Sequence, residues 1–180
     1  MKTLDDIWQE HINHESLTPK TMQDLVWHIE NDVDPLDAIT MATDMDLKEL
    51  SPYIARHLDH TDEYVRELAV GCLVGRLQLA EYAQKGFKMA KEDPEENVRD
   101  LAIFSIGAVL NRIKDKNLQH EIAYYLYQKL IDQDESFKGA AYKSILEAME
   151  IPISTQPRVR DLENMIDFSL VERFKKKYGI

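Results

Sequence analysis

One pattern occurs three times in this chain, and it governs what the chain can fold into. With Val65, Val98 and Phe137 aligned as anchors, 33 and then 39 positions apart, Arg66, Arg99 and Lys138 come into register. Leu68, Leu101 and Ala140 follow, then Ala69, Ala102 and Ala141. Leu73, Ile106 and Ile145 stand eight positions after their anchors, and Leu77, Leu110 and Met149 twelve after. Offsets of 0, 4, 8 and 12 lie on one stripe of a helix, and the alanine among them lets a neighbouring helix come close. Fifteen and eleven positions before each anchor stand Leu50 and Ile54, Ala83 and Phe87, and Ile122 and Leu126, which predicts a second helix per copy. An acid precedes each anchor by three positions: Asp62, Glu95 and Asp134. Two helices joined by a short acidic turn, recurring at a period of roughly 30–50 residues, bury their apolar faces by stacking copy on copy.

The second copy is the most complete. Asp93 can accept a hydrogen bond from a first-turn amide, Pro94 suits the first helical position, and Glu96 supplies the reciprocal half of a capping box. After Val98, the residues Leu101, Ala102, Ile103, Phe104, Ile106, Ala108, Val109 and Leu110 leave only a narrow polar stripe. This helix is expected to have neighbours on most of its sides.

The run Asp-x-x-x-x-Val-Arg-x-x-Ala from Asp93 to Ala102 resembles the HEAT repeat and its short bacterial relatives, and the resemblance spans about residues 47–150. The third copy departs from it, with Phe137 and Lys138 in place of Val-Arg. The resemblance implies an all-α fold: a right-handed α-α superhelix, or HEAT-like solenoid, with helical caps. It divides the chain into an N-terminal helical cap (1–45), three HEAT-like helix pairs (46–150), and a linker with a C-terminal capping helix (151–180), all in one structural domain. Architecture of this kind does not fix a function.

Local signals fill in the rest. Thr3 with Asp6 caps a first helix over about 4–15, with Leu4, Ile7, Trp8 and Ile12 apolar. Thr18-Pro19 starts a second helix to about Asn31, and Asp34-Pro35 a third to about Thr43. The repeat helices are expected at about 46–58 and 62–77, 79–92 and 94–113, and 118–132 and 134–150. Pro152 and Pro157 make 151–157 a linker. Beyond it, a last amphipathic helix is expected from Arg158 to Tyr178, with Val159, Leu162, Met165, Ile166, Leu170, Val171 and Phe174 on its apolar face and Lys175, Lys176 and Lys177 suiting its C-terminal dipole.

Charge narrows the partners. Of the net −11, residues 1–64 carry fifteen acids against four bases, residues 65–150 fourteen against twelve, and residues 151–180 four against six. An acid-rich surface disfavours nucleic acid and favours another protein with a basic surface; it also serves solubility. No apolar run approaches the roughly 20 residues of a membrane span, and the first residues lead into an acidic helix, so a cytoplasmic location with no membrane contact is expected. Cys72 is the only cysteine and reads as a small buried apolar residue. The oligomeric state is not legible.

Chemistry is sparse. His11 and His14, and His57 and His60, stand one helical turn apart, but neither pair has an evident third protein ligand, and both read as solvated surface histidines. His14-Glu15 and His120-Glu121 resemble the His-Glu dyads of the deoxyhypusine hydroxylases, a HEAT-type iron family. That family sets its dyads at equivalent repeat positions, whereas these lie in a terminal and an outer helix. A HEAT-like metal-dependent enzyme using these dyads is therefore a remote reading. HEAT-like DNA glycosylases need a cationic groove, which the charge does not supply. With no Gly-rich phosphate loop, Ser-His-Asp arrangement or zincin motif, the expectation is a non-enzyme with no catalytic residues, metal or cofactor.

What remains is a surface. The positions five and six after each anchor hold Val70 and Gly71, Ile103 and Phe104, and Tyr142 and Lys143, a row that in solenoids tends toward the concave face. Beside it lie acids in the turns: Asp59, Asp62, Glu63, Asp93, Glu95 and Glu96. The candidate protein-binding set is thus these six acids with Val70, Ile103, Phe104 and Tyr142; in the alternative, the large residues simply pack against flanking helices. The expected function is a non-catalytic protein-binding module, in its sharper form an inhibitor or immunity-type protein that neutralises a basic partner. A scaffold or adaptor subunit of a regulatory complex is the alternative.

Overall fold

Side chains at the helix starts determine how the chain is cut into elements. The computed structural model describes residues 1–14, 16–132 and 135–180, with side chains at all of these except Glu135, Val159, Arg160 and Glu163. Glu15 and Asp134 of the sequence patterns lie outside the described residues, as does the side chain of Val159. Among the described residues every regular element is helical, and ten α-helices are present. The chain divides into two units, Met1–Leu73 and Val74–Ile180.

In the first unit, α1 (Leu4–His14) opens on the expected box: the Asp6 amide donates to Thr3 Oγ1 at 3.2 Å, and the Thr3 amide to the Asp6 carboxylate at 3.1 Å. Ile7 is buried, but Ile12 is 57% exposed and does not belong to the core stripe. The Thr18 hydroxyl accepts the Thr21 amide at 3.2 Å and caps α2 (Pro19–Glu30). Before α3 (Pro35–Asp44), both Asp32 and Asp34 take left-handed backbone (φ 52° and 51°), and Asp34 makes no side-chain cap bond. Aspartate tolerates this conformation better than most residues.

The helix expected over 46–58 is not continuous. It is a 3₁₀ turn (Lys48–Leu50), the single α-helical turn α4 (Ser51–Ile54), and a second 3₁₀ segment (Ala55–Asp59). Pro52 lacks the amide that would bond back to Lys48, so α-helix can begin here only afresh. Leu50 and Ile54 are nevertheless buried as the repeat requires. Asp62 caps α5 (Glu63–Val70) by accepting the Tyr64 amide at 2.8 Å, and the helix then widens into a π-helical stretch over Gly71–Arg76. Within this unit α3 packs against α1, α2 and α5, and α2 packs against α4.

The second unit contains α6 (Ala83–Glu92), α7 (Glu96–Leu110), α8 (Lys116–Ile131), α9 (Lys138–Ala148) and α10 (Phe168–Tyr178). α7 contacts α6, α8 and α9, the central position its composition predicts. Its start differs from expectation. The Asp93 carboxylate accepts the Glu95 amide at 3.1 Å, and α7 begins only at Glu96, so no Asp93–Glu96 capping box forms. Asp115 does cap α8, accepting the Asn117 and Leu118 amides at 2.9 and 3.3 Å. α7 lies on α9. Between α6 and α8, Phe87 meets Tyr125 edge to face at 5.4 Å, and the Tyr125 hydroxyl donates to the Ala90 carbonyl at 2.8 Å.

The repeat register is visible in burial. Ala69, Ala102 and Ala141 are buried, as are Leu73, Ile106 and Ile145, and all six upstream positions of the three copies. Val65 and Val98 are each the third residue of their helix, whereas Phe137 ends a 3₁₀ turn just before α9 and is half-buried, with the cations of Arg99 and Lys129 over its ring at 5.8 and 5.3 Å. The C-terminal stretch is not one helix from 158 to 178. A 3₁₀ segment (Val159–Asn164) packs on α9, and α10 starts anew where Asp167 accepts the Ser169 and Leu170 amides at 2.8 and 3.3 Å. Leu162, Leu170, Val171 and Phe174 are buried, while Met165 is 58% exposed. The Asp167 cap breaks the face on which the two halves would otherwise align.

Candidate functional site

The arginine that follows each valine anchor shapes the acidic turn beside it. Arg66 Nη1 donates to the carbonyls of His60 and Thr61 at 2.9 and 3.1 Å; Arg99 Nη1 donates to those of Asp93 and Pro94 at 2.7 and 2.9 Å. The same clip, six and five residues back, holds both turns. Asp59, Asp62, Glu95 and Glu96 are exposed and Glu63 is half-buried, so these five remain presented. Asp93 is 9% exposed and is withdrawn from the surface.

The apolar row is corrected more sharply. Val70, Ile103 and Tyr142 are buried, and the Tyr142 hydroxyl accepts the Asp167 amide at 2.9 Å. α5, α7 and α9 each have more than one neighbour, so the position five after the anchor, one helical turn beyond the residue that follows the anchor, is also core. Only Phe104 keeps part of its ring in solvent, with the Lys143 ammonium 5.6 Å from the ring centre.

Phe104 lines a cleft of about 320 Å³. Glu96 and Asp100 precede it by eight and four positions on the same face of α7, Gly139 and Ala140 contribute from α9, and Leu162 closes the lining from the 3₁₀ segment. The cleft therefore joins two carboxylates to an apolar floor. Asp100 and Leu162 were not in the sequence-derived set. Asp100 was findable from the spacing 96, 100, 104; Leu162 was not, because its segment was expected to be part of a helix.

Within the His120-Glu121 dyad the two side chains turn apart. His120 Nδ1 lies 3.1 Å from the Tyr178 carbonyl, while Glu121 reaches the other way to Lys91 Nζ at 3.3 Å. His14 is exposed. His57 and His60 behave differently, because the turn after α2 brings Asp32 to them: Asp32 Oδ1 is 3.4 Å from His57 Nδ1 and 3.7 Å from His60 Nε2. His57 is buried, His60 half-buried and Asp32 exposed, and their donor atoms all lie within 4.8 Å of one another. This third group was invisible in the sequence.

No helix among the described residues is long and apolar enough to cross a membrane. Neither a protein-family model, nor a curated protein, nor a solved structure matches this chain.

Proposed function

We propose that this chain is a non-catalytic protein-binding module, and that the α7 cleft receives a basic segment of the partner. The observation that carries this reading is the alignment of Glu96, Asp100 and half-exposed Phe104 on one face of α7, opening beside Leu162. A lysine or arginine beside an apolar side chain fits such a cleft: the cation meets the carboxylates while the apolar group covers Phe104. The net charge of −11 steers a cationic partner from a distance. In this reading the three helix pairs stack as a right-handed HEAT-like superhelix, and the sharper biological form is an inhibitor or immunity-type protein that neutralises a basic target.

The test is capture from native cell extract at low and high salt, with wild type and the double variant Glu96→Lys, Asp100→Lys. A basic partner retained at low salt, released at high salt and lost with the double variant is the expected outcome. An acidic partner, or capture indifferent to the double variant, overturns the cleft as the binding site. A toxin gene adjacent to the coding sequence distinguishes the inhibitor form from a general scaffold or adaptor.

A further inference from the structure

We propose that Asp32, His57 and His60 bind one divalent metal ion of the zinc class, a site separate from the α7 cleft. The argument begins with His57. Its Nε2 lies 2.9 Å from the carbonyl oxygen of Ile29, which can only accept, so Nε2 carries a proton, and in the singly protonated ring the lone pair of Nδ1 faces Asp32. Two electron-rich atoms then face each other at 3.4 Å, one on the buried His57 and one on the exposed Asp32, an arrangement that a positive charge between them would satisfy. A shared proton fits poorly, because an N–H···O bond is about 2.7–3.2 Å long. A metal fits better. Four ligands at about 2.0–2.1 Å around a tetrahedral centre stand about 3.3–3.4 Å apart along each edge. The separations from Asp32 Oδ1 are 3.4 Å to His57 Nδ1 and 3.7 Å to His60 Nε2.

The surroundings match what a ligating histidine needs. The Ile29 carbonyl fixes the His57 tautomer and ring orientation, the outer support that histidine ligands regularly have. Imidazole and carboxylate donors suit zinc and its neighbours in the first transition row, and three protein ligands leave a fourth position for water on the exposed Asp32 side. One rearrangement is required. His60 Nδ1 accepts the Asp62 amide at 3.0 Å, so the His60 proton sits on Nε2 and must shift to Nδ1 when Nε2 takes the metal. The Asp62 amide, on an exposed residue, then turns to water.

Titration calorimetry of the metal-free full chain with zinc chloride tests this, with cobalt(II) as a spectroscopic substitute. The expected result is one equivalent bound, visible-region bands of four-coordinate cobalt, and a higher melting temperature with metal. Asp32→Asn, which keeps a residue tolerant of left-handed backbone, and His60→Gln should each lower affinity by about tenfold or more. Both variants are at partly exposed positions and should fold without metal, whereas His57→Ala removes a buried side chain. His14→Ala should bind as wild type does. Absence of zinc binding, or an affinity unchanged in both Asp32→Asn and His60→Gln, overturns the proposal.

Discussion

The hydroxyl of Ser144 in α9 is set into the backbone of α7 at Gly107: it accepts the Gly107 amide at 2.8 Å and donates to the carbonyl of Ile103, the two ends of one helical hydrogen-bond step. This requires the two backbones to touch. A Cβ on Gly107 would sit 2.0 Å from the Ser144 carbonyl oxygen, so Gly107→Ala forces the helices apart and should cost about 3 kcal/mol or more, at the high end of overpacking. Gly75→Ala is the control. There the nearest atoms are the Ser105 hydroxyl at 2.9 Å, which can rotate away, and the Ser105 Cβ at 3.2 Å, which need give by only a few tenths of an ångström. Thermal melts in which both alanine variants lose equally would contradict the contact.

Ile106 is fully buried on the repeat stripe of α7, whereas Glu121 is exposed on α8 and makes one surface ion pair. Ile106→Ala should therefore cost about 2–5 kcal/mol, and Glu121→Ala less than about 1 kcal/mol. Urea denaturation of the two variants measures both, and equal midpoints would mean that the stripe is misplaced.

The Arg99 clip makes its own forecast. Its guanidinium serves two carbonyls of the turn preceding α7, a bonding pattern that a single ammonium does not reproduce in rigid geometry. Arg99→Ala should destabilise by about 1.5–3 kcal/mol, the range for hydrogen bonds involving a charged group, and Arg99→Lys should recover only part of that. Denaturant midpoints for the three proteins give the comparison.

Acid sensitivity is expected at Glu10. Its carboxylate meets Lys2 and accepts bonds from the Thr18 amide and the Thr21 hydroxyl, each at 2.8 Å. These contacts, Lys2 foremost, hold its pKa down at about 2 against an ordinary 4.5. Because the folded value is depressed, the contribution is fully present above about pH 4.5 and is lost as pH falls through about 2. Glu10→Gln should flatten the stability profile across that window and leave its shape near neutrality unchanged. Chemical denaturation at stepped pH reads this directly.

The helical periodicity of the sequence was sufficient to find the stripe through Ala69, Ala102 and Ala141 and the buried partners Leu50, Ile54, Ala83, Phe87, Ile122 and Leu126, because burial at a period of 3.6 leaves a direct trace. Two kinds of information were not there to be read. One is how many neighbours a helix has: Val70, Ile103 and Tyr142 lie off the stripe, yet each is buried. The other is backbone geometry at turns. Pro52 and Asp167 restart helices inside segments whose apolar pattern runs on, and the left-handed backbone at Asp32 brings a carboxylate to histidines 25 and 28 positions later. The acids at Glu95 and Glu96 stayed at the surface because Arg99 holds their turn from behind, whereas Asp93 gave its carboxylate to the Glu95 amide.

The packing order within the second unit also bears on how quickly that unit assembles. α6 pairs with α7, α7 with α8, and α8 with α9, so much of the packing joins segments adjacent in the chain. Short loops close at small entropic cost, and helical folds built from such contacts form in microseconds to milliseconds. The Ser144 contact spans 37 residues. It is thus placed to form late, so stopped-flow experiments on a mild Ser144 variant should find unfolding accelerated and the refolding rate almost unchanged.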